Sequence, residues 1–167
     1  MSKVIYKVGD DVSTDVIYPG RFMATVLPTE TPLLAFADDT AFNAKLKSRE
    51  IPPGSVLLGG QNFGCGSSRE QAVSCLKGHE MMIVAKSFAR IFLQNAINLG
   101  LRVVSCPTIE ADEGDELEIT ATAVLNHSNG KEFFVVSLPK SRQAIIDAGG
   151  LIPFTRKRLV ETSPVGS

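Results

Sequence analysis

The residues best suited to chemistry in this 167-residue chain lie in Gly64-Cys65-Gly66-Ser67-Ser68-Arg69-Glu70. Glycines in a short strand-to-helix turn let backbone amides approach a ligand closely. A helix beginning there would aim unpaired N–H groups and a positive dipole end at whatever occupies the turn. Ser67 and Ser68 add hydroxyls, and Arg69 adds a planar fork that fits a carboxylate in bidentate fashion. The chemistry implied is carboxylate binding with a hydroxyl in the same cup. Ser67-x-x-Glu70 also satisfies a capping box, so a helix start with no ligand is an equal reading of the spacing. The two are compatible, because a capping serine can also face a substrate.

Other motif readings fail. A nucleophile elbow needs glycine two residues after the serine, where Arg69 stands. A phosphate loop needs lysine before the hydroxyl residue, where Gly66 stands. Cys65 lacks a histidine nearby in sequence to activate it, so a small, buried, inert thiol is the simpler reading. Lys86, Arg90 and Arg102 read as solvated charges, or in the case of Arg90 as a partner of a nearby acid, and His79 as a cation at a helix C-terminus.

Several elements must position this cup. Val4 to Val8 alternates and predicts a strand. Gly9 to Asp15 is turn-rich, and Asp15 by itself suits an Asx turn. Tyr18 to Pro32, with prolines at 19, 28 and 32, predicts an irregular, mobile segment. Asp39 to Arg49 predicts a helix with Ala41, Phe42 and Leu46 inward, stopped by Pro52-Pro53-Gly54. Ser55–Leu58, Met81–Ala85 and Leu101–Ser105 predict buried strands. Between them, helices are expected from Ser67 or Ser68 to Lys77, and over Ser87–Asn98 with Phe88, Ile91, Phe92 and Ala96 inward. That alternation predicts parallel strands with right-handed crossovers. Glu116–Leu125 and Glu132–Leu138 alternate and are joined through Asn129-Gly130, a hairpin signal. Ser141–Ala148 predicts a last helix. The expected architecture is α/β: one domain over 1–160, a mixed, largely parallel sheet with helices on its faces and a β-hairpin, then a frayed tail over 161–167.

The bulk numbers narrow the partners. Seventeen basic against eighteen acidic residues give no field favouring nucleic acid or an anionic membrane. Apolar runs fall short of the ~20 residues that span a bilayer, and the first residues lack a secretion signal's apolar core. A cytoplasmic location is expected. Three cysteines, at 65, 75 and 106, and two histidines form neither a disulfide framework nor a metal knuckle. No metal or cluster is expected on this chain alone.

Gly60-Gln61-Asn62-Phe63-Gly64-Cys65-Gly66-Ser67-Ser68-Arg69-Glu70-Gln71-Ala72 closely resembles the motif of the swivelling C-terminal domain of aconitases. It is most similar to the free-standing small subunits of isopropylmalate isomerase (3-isopropylmalate dehydratase) and their relatives. Gly9-Asp10-Asp11-Val12-Ser13-Thr14-Asp15-Val16-Ile17-Tyr18-Pro19, Lys86-Ser87-Phe88-Ala89-Arg90-Ile91-Phe92 and the stretch Asn95–Leu101 agree in order.

The resemblance implies a swivelling β/β/α domain. It also implies a hydro-lyase active only with a large subunit that holds a [4Fe–4S] cluster and leaves one iron open. By motif position Ser67 would be the base. Ser68, Arg69, Gly66 and Asp15 would bind a small hydroxy-dicarboxylate. Arg21, Phe22, Met23, Ala24 and Thr25 would form the loop that meets the variable end of the substrate. Homoaconitases resemble this loop but carry arginine at the place aligned with Ala24; Arg21, three residues earlier, is the substitute cation the loop offers. Gln71 stands where many relatives have histidine.

The implied substrate order is 3-isopropylmalate/2-isopropylmalate of leucine biosynthesis, then dimethylmalate, then homoaconitate. A non-catalytic carboxylate-binding protein is the alternative from another class.

Overall fold

The structure, a computed structural model, describes residues 1–48 and 50–162, with side chains through residue 160. Its centre is a seven-stranded mixed sheet: β1 (Ser2–Lys7), β2 (Val56–Gly59), β3 (Met82–Ala85), β4 (Val103–Ser105), β5 (Glu116–Ile119), β6 (Ala123–Asn126) and β7 (Lys131–Phe134), in the order β4-β3-β2-β1-β5-β6-β7. β1 to β4 run parallel, and β5 to β7 continue the sheet antiparallel from the other side of β1. After β7 the chain returns to β4 through an antiparallel bridge between Ser105 and Val136, so the two ends of the sheet meet.

That curvature explains the unbroken apolar runs of β2 and β3. Val56, Leu58 and Val84 face inward onto Val4, Leu117, Val124 and Phe133. Leu57, Ile83 and Ala85 face outward onto the helices. Strands buried on both faces lose the alternation that a half-exposed strand keeps.

The helices are α1 (Thr14–Ile17), α2 (Thr40–Lys47), α3 (Glu70–Lys77), α4 (Arg90–Leu99), α5 (Lys140–Asp147) and α6 (Leu151–Thr162). α3 and α4 are the crossovers between β2 and β3 and between β3 and β4. They bury Val73, Leu76, Phe92 and Ala96, and fully burying a Leu or Phe contributes ~1.5–3 kcal/mol. α4 ends at Gly100 with φ 78°, where an added methyl would overlap the backbone of Gly149. Only glycine meets both demands there.

Several boundaries differ from expectation. Asp39 is the cap of α2 rather than its first residue, accepting from the Phe42 N–H at 3.2 Å. The expected end of that helix, Arg49, lies outside the described residues. Ala41 is exposed, and Asn43 is buried in its place, donating to the carbonyls of Leu33 and Ala35. Ile91, expected inward, is 53% exposed. The alternating run 116–125 breaks at Thr120–Thr122 into two strands, and Asn129-Gly130 lies between β6 and β7.

α6 was not expected from the sequence, and its helix continues through Thr162 into the segment predicted to fray. Residues 163–167 lie outside the described residues. Tyr18 to Pro32 is irregular but not bare: it holds 3-10 turns at Gly20–Phe22 and from Thr31, and Tyr18 and Thr31 are fully buried. Among the described residues, no helix is long and apolar enough to cross a membrane.

Candidate active site

Three segments far apart in sequence are stitched together at the carboxyl ends of β1, β2 and β3, the edge of a parallel sheet where ligands commonly bind. The loop after β1 pairs with the loop after β2: Asp11 N–H donates to Gln61 O at 2.8 Å, Gly64 N–H to Val12 O at 2.7 Å, and Thr14 N–H to Cys65 O at 2.8 Å. The loop after β3 joins from the other side, with Phe63 N–H donating to Ser87 O at 3.0 Å and Ala89 N–H to Phe63 O at 2.9 Å. Ser87 Oγ accepts from Asn62 N–H and donates to Gln61 Oε1. A cluster of Phe63, Phe88 and Phe92 underlies the turn.

Within this frame Gly64 and Gly66 take positive φ, 83° and 91°, which turns the chain so that Ser67 and Ser68 precede the helix instead of entering it. α3 starts at Glu70, with Arg69 as a cap residue that makes no side-chain capping bond. The capping box expected from Ser67 and Glu70 is therefore not formed. A capping serine must sit immediately before the first helical turn, and this one sits too early. The Ser67 hydroxyl is left without a hydrogen-bond partner among the described residues.

What holds Ser67 is its carbonyl, which accepts from the buried Thr14 Oγ1 at 2.7 Å. Ser68 Oγ accepts a long bond from Asn95 Nδ2, 3.4 Å. Arg69, with only 15% of its side chain exposed, donates through Nη1 to Asp15 Oδ1 at 2.8 Å and to Tyr18 O at 3.4 Å. Its Nη2 and Nε have no partner among the described residues.

The Asx-turn reading of Asp15 gives way to a longer reach. Its Oδ1 accepts from the Gly20 N–H, five residues on, as well as from Arg69. The Gly20 amide, and then the Arg69 guanidinium, hold the Asp15 carboxyl below its ordinary range.

Gly66, Ser67, Ser68 and Arg69 line a cavity of about 260 Å³ together with Thr14, Arg90 and Asn95. In sequence Arg90 reads as a solvated charge or a partner of an acid, and Asn95 carries no functional signal. No local signal separates them from ordinary helix-face residues; only the packing of α4 against the turn brings them in. A larger cavity of about 650 Å³ lies beside Lys7, Lys86 and Asp112. Lys7 there is paired with Asp112 and Glu110 with Lys131, and among the described residues no arginine lines it. The smaller cavity is the one that sets serine hydroxyls beside a guanidinium.

The loop Arg21–Thr25 does not line that cavity. Its root touches the site instead, since Gly20 packs on Asp15 and Arg69. Arg21 turns away, forking onto both carboxylate oxygens of Asp38 and lying over the Phe22 ring with 4.5 Å to the centroid. Phe22 is half-buried, while Met23 and Ala24 are exposed. Tyr18 Oη bonds the carbonyls of Phe22 and Thr25, and Gln71 Nε2 donates to Met23 O at 3.1 Å. His79 is remote, bonded to Pro32 O.

The cysteines do not converge into a ligand set. Cys75 is wholly buried, and burial pushes its thiol far up. Cys106 is buried elsewhere, its thiol pushed up to about 11 by desolvation. Among the described residues no three metal-ligating groups come together.

Comparison with known proteins identifies relatives of this chain. The family described as the aconitase C-terminal domain matches residues 11–108, more than half of the chain. A 3-isopropylmalate dehydratase small subunit from Thermodesulfovibrio yellowstonii is 40% identical, with 93% of each chain covered. The protein of that name from Methanosarcina mazei is 41% identical over 93% of this chain and 96% of its own. An isopropylmalate/citramalate isomerase small subunit from Methanocaldococcus jannaschii is 39% identical over 95% of each. The crystal structure of a 3-isopropylmalate dehydratase from the same organism matches with a TM-score of 0.87, 37% identity and 98% of each chain covered.

Proposed function

Because the chain belongs to the aconitase C-terminal domain family, we propose that it is the small subunit of a cytoplasmic, heteromeric hydro-lyase that isomerises 2- and 3-isopropylmalate. The observation that carries this reading is the unbonded Ser67 hydroxyl, which shares one cavity with Arg69 ahead of the first turn of α3. A pure carboxylate receptor would need the amides and Arg69 but not a poised hydroxyl.

In this reading Arg69 engages one substrate carboxylate through its unpartnered Nη2 and Nε. Gly66 and the first amides of α3 supply a fixed positive environment, and Ser68 bonds the substrate. Ser67, as alkoxide, takes the proton from the carbon next to that carboxylate as the neighbouring hydroxyl departs. Adding the hydroxyl to the carbon that lost the proton, and returning the proton from Ser67 to the carbon that lost the hydroxyl, completes the isomerisation and restores the alkoxide. An alkoxide is reachable only because preorganised donors and dipoles stabilise it in place. The cysteines of this chain do not suit a cluster, so the [4Fe–4S] cluster of aconitase-type hydro-lyases is assigned to the large subunit, where it supplies a Lewis acid. The small subunit, residues 1–160 in one swivelling domain, closes over that partner.

Loop chemistry favours an alkyl substrate. Ala24 carries no charge, and Arg21, the cation within the loop itself, is committed to Asp38. Phe22, Met23 and Ala24 therefore offer apolar surface where homoaconitate would need a cation. The methanocaldococcal relative's name pairs isopropylmalate with citramalate, which also fits a small alkyl group.

The test is anaerobic co-expression with the large subunit, followed by isopropylmalate turnover of the wild-type and Ser67→Ala complexes. Loss of a general base lowers kcat by about 10²–10⁴-fold, with melting temperature unchanged and KM within a few-fold. A wild-type complex that binds the substrate without turning it over would replace this reading with the binding-protein one.

A further inference from the structure

We propose that Gln71 is a positioning residue that fixes the loop Gly20–Thr25 to the helix presenting Arg69, and so sets how the alkyl end of the substrate is gripped. The inference rests on the functional reading above. Gln71 lies in the first turn of α3, two residues after Arg69, and its Nε2 donates to Met23 O at 3.1 Å. Because a carbonyl can only accept, the orientation of the amide follows from its partner.

The other bonds to carbonyls of that loop come from within it or from its root. Tyr18 Oη meets Phe22 O and Thr25 O, and the amides of Met23 and Thr25 bond Gly20 O and Phe22 O. These shape the loop but do not tie its tip to the cup. Gln71 does. Asp15 provides the matching tie at the root, holding the Gly20 amide and Arg69 together. Two short tethers thus fix the loop's distance from Arg69, and with it the spacing between the bound carboxylate and the surface left for the alkyl group.

Donor capacity is therefore what position 71 must supply. Histidine can donate from a ring nitrogen, whereas methionine keeps the bulk and loses the donor. Glutamate would place an acceptor against an acceptor.

The experiment has two readouts. In the free chain, hydrogen–deuterium exchange of the segment spanning residues 19–27 is expected to speed up in Gln71→Met, with 64–70 unchanged, and to return toward wild type in Gln71→His. In the complex, Gln71→Met is expected to raise KM for isopropylmalate by about threefold to tenfold, the span of one neutral hydrogen bond. Its kcat stays within about twofold, and Gln71→His recovers most of the KM. Unchanged exchange and KM in Gln71→Met would overturn the proposal, as would a loss confined to kcat or a Gln71→His variant no better than Gln71→Met. An inactive wild-type complex would refute the functional reading, while the exchange result would still judge the tether.

Discussion

At Gly64 two independent demands coincide, and they can be separated by experiment. The backbone there has φ 83°, and a methyl group built on its Cα would overlap the ring and Cβ of Phe92. Phe92 cannot easily retreat: it is 2% exposed, with Phe63 edge-on at 5.3 Å and Phe88 stacked at 6.1 Å. Gly64→Ala therefore costs ~1–2 kcal/mol for the left-handed backbone and a further ~1–3 kcal/mol for overpacking.

Gly66 is the control. Its φ is 91°, but a methyl there would find only Ser13 Cβ and Thr14 Oγ1, both at 3.7 Å, an ordinary contact. Gly66→Ala should cost only the backbone share. At about 2–4 °C per kcal/mol for a chain of this size, Gly64→Ala should melt roughly 4–20 °C below wild type. Gly66→Ala should fall by roughly 2–8 °C on the same scale.

Urea unfolding of the two single variants, Phe92→Leu and the Gly64→Ala/Phe92→Leu double variant closes a cycle. Trimming Phe92 makes room for the methyl, so the double variant should be more stable than the sum of the singles by ~1–2 kcal/mol. Equal losses at the two glycines, or strict additivity in the cycle, would refute the claim that Phe92 dictates glycine at position 64.

Two further outcomes follow from the same contacts. Thr14→Val keeps the shape of a buried side chain but removes the donor to Ser67 O, so urea unfolding should show a loss of ~1–2 kcal/mol, and turnover should fall with it; Thr14→Ser should restore both. For Asp15, the Gly20 amide and then Arg69 depress the carboxyl below its unfolded range. Its stabilisation is therefore complete above the unfolded pKa and disappears as pH falls through the folded one. Denaturation curves of wild type and Asp15→Asn measured from pH 7 downward should converge below about pH 4, near the ordinary aspartate range; a constant gap at all pH values would contradict the assignment.

Much of the framework was legible because local physics decides it. β2 and β3 show themselves as unbroken apolar runs, and the crossover helices show themselves by periodicity. Gly100 marks a helix end because a left-handed residue is needed there. The motif around Ser67 and its two companion segments, far apart in sequence, are the loops that hydrogen-bond to one another. Features decided at the edges were harder to see. The run 116–125 alternates through its own turn, so periodicity cannot show that it folds back at Thr120–Thr122. α6 carries Pro153 in its first turn and a basic stretch over 156–158, a pattern with no clear apolar face to announce a helix.

The central strands and the two crossover helices were determined by the sequence alone, since each depends on interactions within a few residues. Whether Ser67 caps a helix or stands free was not, because both fit the same spacing. That was decided by Thr14, 53 residues away, taking the Ser67 carbonyl, and by Phe92 leaving Gly64 no room for a side chain. The fate of Arg21 was decided in the same way, by an aspartate 17 residues on. A hydroxyl or a guanidinium is available for chemistry only if nothing else in the folded chain has claimed it, and only long-range packing settles those claims.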